Sequence, residues 1–136
     1  TCFTQDKQGM IWVGTEKGLY SYDGYSAQSH FWDTRYRDSW IYCMDIVDEK
    51  YIYLGTDNGL MIYDIEKDRY VDSKVAFPKD VRTTLYVEGE LWIGTLQGLF
   101  KYEVSSSKLD KVDISKNSGI PHSTIYSIIS SKDGNI

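Results

Sequence analysis

The chain has 136 residues and a formal net charge of −5 at pH 7, which argues against nucleic acid as a partner because phosphate binding needs clustered cations. Twelve Tyr and four Trp against only two Pro favour packed β-strands over helices or disorder. No apolar run approaches the roughly 20 residues that span a bilayer, and no signal peptide is visible.

The first 39 residues predict four short strands joined by turns. Residues 1–4 form the first strand. Residues 10–13 form the second, which is apolar at every position and is therefore expected to be buried on both faces. Gly18 supplies the positive φ of a tight turn into a third strand at 19–22. Residues 27–32 form a shorter and more polar fourth strand.

The same order of elements returns along the rest of the chain. The later units predict strands at 40–47, 51–54, 60–63, 69–77, 81–87, 91–93, 99–102 and 109–114. Residues 123–129 begin a fourth unit, and the chain ends at residue 136, just before the repeated signature would return. Helical periodicity competes nowhere.

One nine-residue stretch, Ile-Trp-Val-Gly-Thr-Glu-Lys-Gly-Leu at 11–19, recurs at 52–60 and 91–99 with a period close to 40 residues. Four strands in about 40 residues is the size of a β-propeller blade. Each blade needs the same turn and the same packing, so we assign the recurring residues to architecture rather than to a ligand. They are Trp12, Gly14, Thr15, Gly18, Leu19, Gly55, Thr56, Gly59, Leu60, Trp92, Gly94, Thr95, Gly98 and Leu99.

The predicted fold class is all-β: a β-propeller segment of about three four-stranded antiparallel blades plus the start of a fourth. The units run over 1–39, 40–79, 80–122 and 123–136. Three blades do not close a ring. We therefore expect the remaining blades of a parent chain as partners, and self-association through the open, aromatic-rich blade edges.

The sequence predicts no metal or cofactor site. Neither His30 nor His122 has a third ligand at metal spacing, and no phosphate-loop Lys follows the repeated glycines. Cys2 and Cys43 stand at equivalent positions of neighbouring units. Two small buried side chains are favoured there, and a disulfide bridge stays open.

The residues that do not recur are the candidates for ligand binding, because the repeat does not require them. In an up-and-down blade the linkers after the fourth strands meet the second hairpins on one rim. Aromatic rings can stack on sugars there, and Arg can fork onto a carboxylate or sulfate. Alternatively, the aromatic rings wedge between blades and the Arg residues pair with Asp33 and Asp38. The candidates are Trp32, Arg35, Tyr36, Arg37, Trp40, Lys79, Arg82 and His122.

The first copy of the signature, Asp-x-x-Gly-x-Ile-Trp-Val-Gly-Thr-x-x-Gly-Leu-x-x-Tyr-Asp at 6–23, resembles the two-component regulator propeller repeat. The second copy departs from it with Tyr53 for the Trp, and the third ends on Glu103 instead of Asp. The resemblance implies a periplasmic sensor region of a membrane-anchored hybrid histidine kinase. It also implies recognition of an oligosaccharide or glycan fragment.

Three functions remain open from the sequence. The first is a non-catalytic, ligand-sensing segment. The second is a blade set of a glycosidase or lyase, for which Asp45 and Arg82 are the only inner-strand candidates, and no motif brings Ser, His and Asp together. The third is a purely structural or dimerisation propeller. We expect this segment not to be an enzyme.

Overall fold

The computed structural model describes residues 2–30, 38–114 and 124–136, and every regular element in those ranges is a β-strand. Twelve strands form three separate four-stranded antiparallel sheets, each with its strands in chain order. The predicted all-β fold of three four-stranded blades is confirmed. Blade 1 comprises β1 (Cys2–Gln5), β2 (Ile11–Thr15), β3 (Gly18–Tyr22) and β4 (Ala27–Ser29). Blade 2 comprises β5 (Ile41–Val47), β6 (Tyr51–Thr56), β7 (Gly59–Asp64) and β8 (Arg69–Val71). Blade 3 comprises β9 (Val81–Val87), β10 (Glu90–Thr95), β11 (Gly98–Glu103) and β12 (Lys108–Val112).

The hairpin between the second and third strands is closed in the same way in every blade. In blade 1 the Thr15 hydroxyl donates to the carbonyl of Gly18 at 3.0 Å and accepts from the backbone N–H of Lys17 at 3.0 Å. Gly18 has φ 105°, a conformation that a residue with a Cβ rarely adopts. The Thr-x-x-Gly spacing of the signature is thus the spacing of one turn.

The other glycine of the signature makes room for the following blade. A Cβ added at Gly14 would lie 2.5 Å from Cγ2 of Ile41, and one at Gly94 would lie 2.6 Å from Cγ2 of Ile125. Val81 fills the same place against Gly55. The neighbours at these positions are side chains, because Ile41, Val81 and Ile125 each pack on the glycine of the previous blade.

All three outer strands are shorter than the sequence predicted, and the one expected at 109–114 ends at Val112. The strand expected at 27–32 ends at Ser29, and the one expected at 69–77 ends at Val71. After β8, the Ser73 hydroxyl accepts a hydrogen bond from the backbone N–H of Val75 at 3.1 Å. This local turn competes with hydrogen bonding between the strands. Residues 124–130 pair with no strand in the part of the chain that the structure describes.

The core lies between the blades rather than within them. Blade 2 is covered on both faces, so β6 and β7 are buried almost throughout. The described residues contain no helix long and apolar enough to cross a membrane. Between blades 1 and 2 the buried cluster is Trp12, Leu19, Ile41, Ile52, Leu54, Met61 and Tyr63. Between blades 2 and 3 it is Val47, Tyr53, Leu60, Ile62, Val81, Leu91, Ile93 and Tyr102.

Candidate functional site at the rim of the blades

The inner strands of blades 2 and 3 each carry a β-bulge at the same place. In β5, Ile41 pairs with Thr56 and Cys43 with Gly55, so Tyr42 has no partner in the ladder. In β9, the register shifts in the same way and leaves Arg82 unpaired. A bulge changes the direction of its extra side chain from that set by the alternation of the strand. Tyr42 of blade 2 and Arg82 of blade 3 are in contact across the junction between these blades.

These two bulge residues and Trp40 form one contact group, which we call the rim stack. The rings of Trp40 and Tyr42 stack with centroids 5.8 Å apart and planes 11° apart. The guanidinium carbon of Arg82 lies 4.0 Å from the centroid of the Tyr42 ring, in cation–π geometry. Trp40 is 44% exposed, which is unusual for so large an apolar side chain. The stack presents aromatic and cationic groups to solvent together.

The hairpin turns hold the rim stack in place. The backbone N–H of Trp40 donates to the Asp57 carboxylate at 3.0 Å, and the N–H of Asp80 donates to the Asp57 carbonyl at 3.0 Å. Asn58 donates from its side chain to the Ser39 hydroxyl at 3.4 Å. The segments that carry Trp40 and Arg82 are thereby tied to one turn. A site on such a scaffold is pre-organised.

The structure brings together two of the predicted ligand-binding residues, Trp40 and Arg82, and joins them through Tyr42, which the sequence reasoning missed. A signal for Tyr42 was present, since it occupies the same place in its repeat as Arg82. Lys79 is exposed on the linker just before β9. The other predicted residues lie outside the described part of the chain: Trp32, Arg35, Tyr36, Arg37 and His122.

A second polar cluster lies between blades 1 and 2, and we call it the His30 network. The Ser21 hydroxyl lies 2.8 Å from Nε2 of His30, and the Asp68 carboxylate lies 2.9 Å from Nδ1. The Tyr63 hydroxyl lies 2.9 Å from the same Nδ1 and donates to Asp68. The expectation that nothing brings Ser, His and Asp together was wrong, because the turn after β7 places Asp68 beside the previous blade.

The His30 network has the atoms of a catalytic triad but not its surroundings. Ser21 and His30 are 4% and 6% exposed. Ser21 lies in the middle of the sheet, paired with Trp12 on one side and Gln28 on the other, where backbone N–H groups serve the ladder rather than an oxyanion. The His30 ring is enclosed by the rings of Trp12 and Tyr63, at 5.1 and 5.4 Å. Burial raises the pKa of Tyr63, which keeps its hydroxyl protonated as a donor. The network is a polar junction between blades.

Asp45 is a buried acid at the junction between blades 2 and 3. The Thr84 hydroxyl donates to its carboxylate, and burial raises the Asp45 pKa from 3.8 to about 6. Burial also raises the pKa of the neighbouring Cys43 thiol to about 12 and that of Cys2 to about 11. Both cysteines are free. Neither is an activated nucleophile at neutral pH, since the thiolate is the reactive form.

Replacing Asp45 with Asn is expected to stabilise the protein above pH 6 by about 2 kcal/mol, because the carboxylate is then charged and buried. The folded pKa lies above the unfolded one, so the folded state binds the extra proton. The contribution of Asp45 to wild-type stability is therefore greatest below about pH 4 and falls as the pH rises to about 6. Urea unfolding of both proteins at pH 4 and pH 7 measures the difference.

The two proteins should be equally stable at pH 4, where wild-type Asp45 is protonated. Asp110→Asn on β12 removes an exposed carboxylate and is the matched control, expected to show no such change between the two pH values. A destabilised Asp45→Asn protein at pH 7 would contradict the account of this junction.

The chain is similar to known proteins in sequence and in fold. Residues 1–17 match the model of the two component regulator propeller. The solved extracellular domain of BT4673 from B. thetaiotaomicron is 47% identical over 98% of this chain, with a TM-score of 0.90. That protein is described once as a putative one component system and once as a putative hybrid two component system. This chain spans 18% of its length. A comparison with curated proteins found no match.

More distant structures agree in fold alone. The extracellular domain of the putative hybrid two component system BT3049 from B. thetaiotaomicron is 20% identical over 92% of this chain. The chain covers 20% of that structure, with a TM-score of 0.73. The expected location outside the cytoplasm agrees with the extracellular domains in these comparisons. The resemblance seen in the signature is confirmed: residues 1–17 match the model of the two component regulator propeller, and the chain forms three consecutive four-stranded blades.

Proposed function

We propose that this chain is a non-catalytic, ligand-sensing part of a periplasmic propeller and that its rim stack recognises an oligosaccharide. The observation that carries the proposal is the stack itself: Trp40 is exposed although it is large and apolar, and Tyr42 and Arg82 are turned to the same place by two equivalent bulges. The relative that is 47% identical supports the sensing role, since it is the extracellular domain of a protein described as a putative one component or hybrid two component system.

The chemistry of the stack suits a sugar. The flat face of Trp40 offers apolar surface to the C–H face of a pyranose ring, and an aromatic side chain does this with little loss of conformational freedom. The Tyr42 ring lies between Trp40 and Arg82 and holds both in place. Arg82 keeps its N–H groups in the plane of the guanidinium, where they can donate to ligand oxygens.

Trp40→Ala and Tyr42→Ala are each expected to weaken oligosaccharide binding about tenfold or more, because Trp40 is the stacking surface and Tyr42 holds Trp40 and Arg82 in place. Calorimetric titration of the protein with a panel of neutral and acidic oligosaccharides measures this change. Tyr25→Ala is the control, because Tyr25 is 96% exposed and lies on the outer turn between β3 and β4. Equal affinities in the wild type and both rim variants would remove the rim stack from the site.

Arg35 and Arg37 remain proposed members of the same site, together with Trp32, Tyr36, Lys79 and His122. The same titration with Arg35→Ala and Arg37→Ala tests them, and unchanged affinity in both variants would exclude those two residues. We also propose the remaining blades of a parent chain as partners. Self-association through the open faces of blades 1 and 3 is a further proposal, which sedimentation of the chain tests.

A carbohydrate-active enzyme is the second candidate, and the His30 network is the observation that favours it. The burial of Ser21 and the absence of an oxyanion site around it argue against turnover. We expect a fluorophosphonate probe to leave Ser21 unlabelled and every bound oligosaccharide to be recovered intact. Cleavage of any member of the panel, lost in the Ser21→Ala variant, would overturn the non-catalytic assignment.

A further inference from the structure

The residue that follows the first position of each inner strand lies at the rim. These residues form a row that we call the ladder. Ile125 packs on Gly94 as Ile41 packs on Gly14, and its backbone N–H donates to the Thr95 carbonyl at 2.9 Å. Ile125 is therefore the counterpart of Ile41 and Val81. Tyr126, which follows it, is the counterpart of Tyr42 and Arg82.

Tyr126 extends the rim beyond the stack. It follows Arg82 in the order of the blades as Arg82 follows Tyr42. The ladder thus alternates an aromatic ring, a guanidinium and a second aromatic ring. An extended oligosaccharide that lies across the blades would place its successive sugar units against successive members of this row.

The cation in the middle of this ladder is poorly neutralised. Its nearest acidic group in an ion pair is Asp80, whose Oδ1 lies 3.9 Å from Nη2 of Arg82, too far for a hydrogen bond. The buried Nε of Arg82 has no hydrogen-bond partner in the described part of the chain. A buried donor without an acceptor is rare in native proteins. Stacking on Tyr42 occupies the face of the guanidinium and leaves its edge for a forked bond to an anion.

We infer that the ladder selects an acidic oligosaccharide, with a carboxylate or sulfate at Arg82 and sugar rings against Trp40 and Tyr126. The inference rests on the proposed function, since it names the ligand class of the same rim. Arg82 determines which charge is accepted, and Trp40 and Tyr126 determine how tightly the chain of sugars is held.

Matched saccharide pairs test the choice of charge. The probes are tetragalacturonate with its carboxyl-reduced form, and sulfated with desulfated chondroitin tetrasaccharide, each titrated calorimetrically into the protein. The acidic member of at least one pair is expected to bind about tenfold or more tightly than its neutral counterpart, as charge-assisted forked bonds do. Arg82→Gln should reduce that preference to about twofold or less, and Arg82→Lys should keep part of it.

Two further variants separate the roles of charge and stacking. Arg69→Ala, which removes an exposed cation from β8, is the control for Arg82 and should keep the full preference. Tyr126→Ala should weaken both members of the pair by a similar factor, about fivefold, because it removes a sugar-facing ring rather than a charge. Tyr25→Ala should change neither. Circular dichroism verifies that each variant is folded.

The outcomes distinguish this inference from the proposed function beneath it. If only neutral members bind, or if Arg82→Gln and Arg82→Lys both keep the acidic preference, the inference fails and the rim remains a saccharide site. If Tyr126→Ala binds both members of the pair as tightly as the wild type does, Tyr126 is not part of the site. If no oligosaccharide binds the wild-type protein, the proposed function itself fails and the inference fails with it.

Discussion

Replacing Gly14 with Ala is expected to destabilise the protein by about 3 kcal/mol, as overpacking does in a filled interior. The new Cβ would lie 2.5 Å from Cγ2 of Ile41 and 2.9 Å from Sγ of Cys2. Ile41 is fully buried between blades 1 and 2, so it has no free space into which it can move. The blades must separate instead. Urea unfolding at pH 7 measures the loss.

A double-mutant cycle with Ile41→Ala shows whether the cause is this contact. Ile41→Ala alone leaves a cavity and should cost about 2–4 kcal/mol. In the double variant the alanine at position 14 fills part of that cavity. The summed losses of unfolding free energy in the two single variants should then exceed the loss in the double variant by at least about 1 kcal/mol. Strict additivity would show that Gly14 matters for another reason.

His30→Ala is expected to cost about 3 kcal/mol, because it leaves a cavity and removes the hydrogen bonds of the buried Ser21 hydroxyl and of the half-exposed Asp68 carboxylate. Ser21 loses its hydrogen-bond partner, Nε2 of His30, and Asp68 loses its partner, Nδ1 of the same ring. Tyr63 keeps its bond to Asp68 but loses the ring against which it packs. The junction between blades 1 and 2 should therefore loosen first.

Hydrogen exchange of backbone amides locates the change. In His30→Ala, exchange should accelerate in β2 and β3 and stay slow in β10 and β11. Phe77→Ala is the matched control, since the Phe77 ring packs edge-on against Tyr102 at 5.0 Å in the next junction, as His30 packs against Tyr63. Phe77→Ala should give the opposite pattern, with faster exchange in β10 and β11 and slow exchange in β2 and β3. Uniform acceleration in both variants would contradict two separate junctions.

The blades could be predicted from the sequence because the repeat encodes their local physics. The Thr-x-x-Gly spacing of the signature is one hairpin turn, and the glycine before it is a strand position without space for a side chain. The outer strands were predicted less well. Their ends depend on local turns such as that at Ser73, which a polar sequence does not distinguish from a strand.

The two polar sites differ in what the sequence revealed. Trp40 and Arg82 were predicted as rim residues, but Tyr42 was missed because a bulge, and not the alternation of the strand, sets its direction. The His30 network could not be seen at all. His30 and Asp68 are 38 residues apart, and only the stacking of consecutive blades brings them together.

Chemical-shift mapping with a bound oligosaccharide tests the central claim most directly, namely that the repeat builds the blades and the unrepeated rim binds the ligand. With saturating tetragalacturonate or chondroitin tetrasaccharide, the largest shifts are expected at the Trp40 indole N–H, the Tyr42 amide and the Arg82 Nε–H. Largest shifts instead around Asp6 and Gln28, in the outer groove beside the His30 network, would contradict the account.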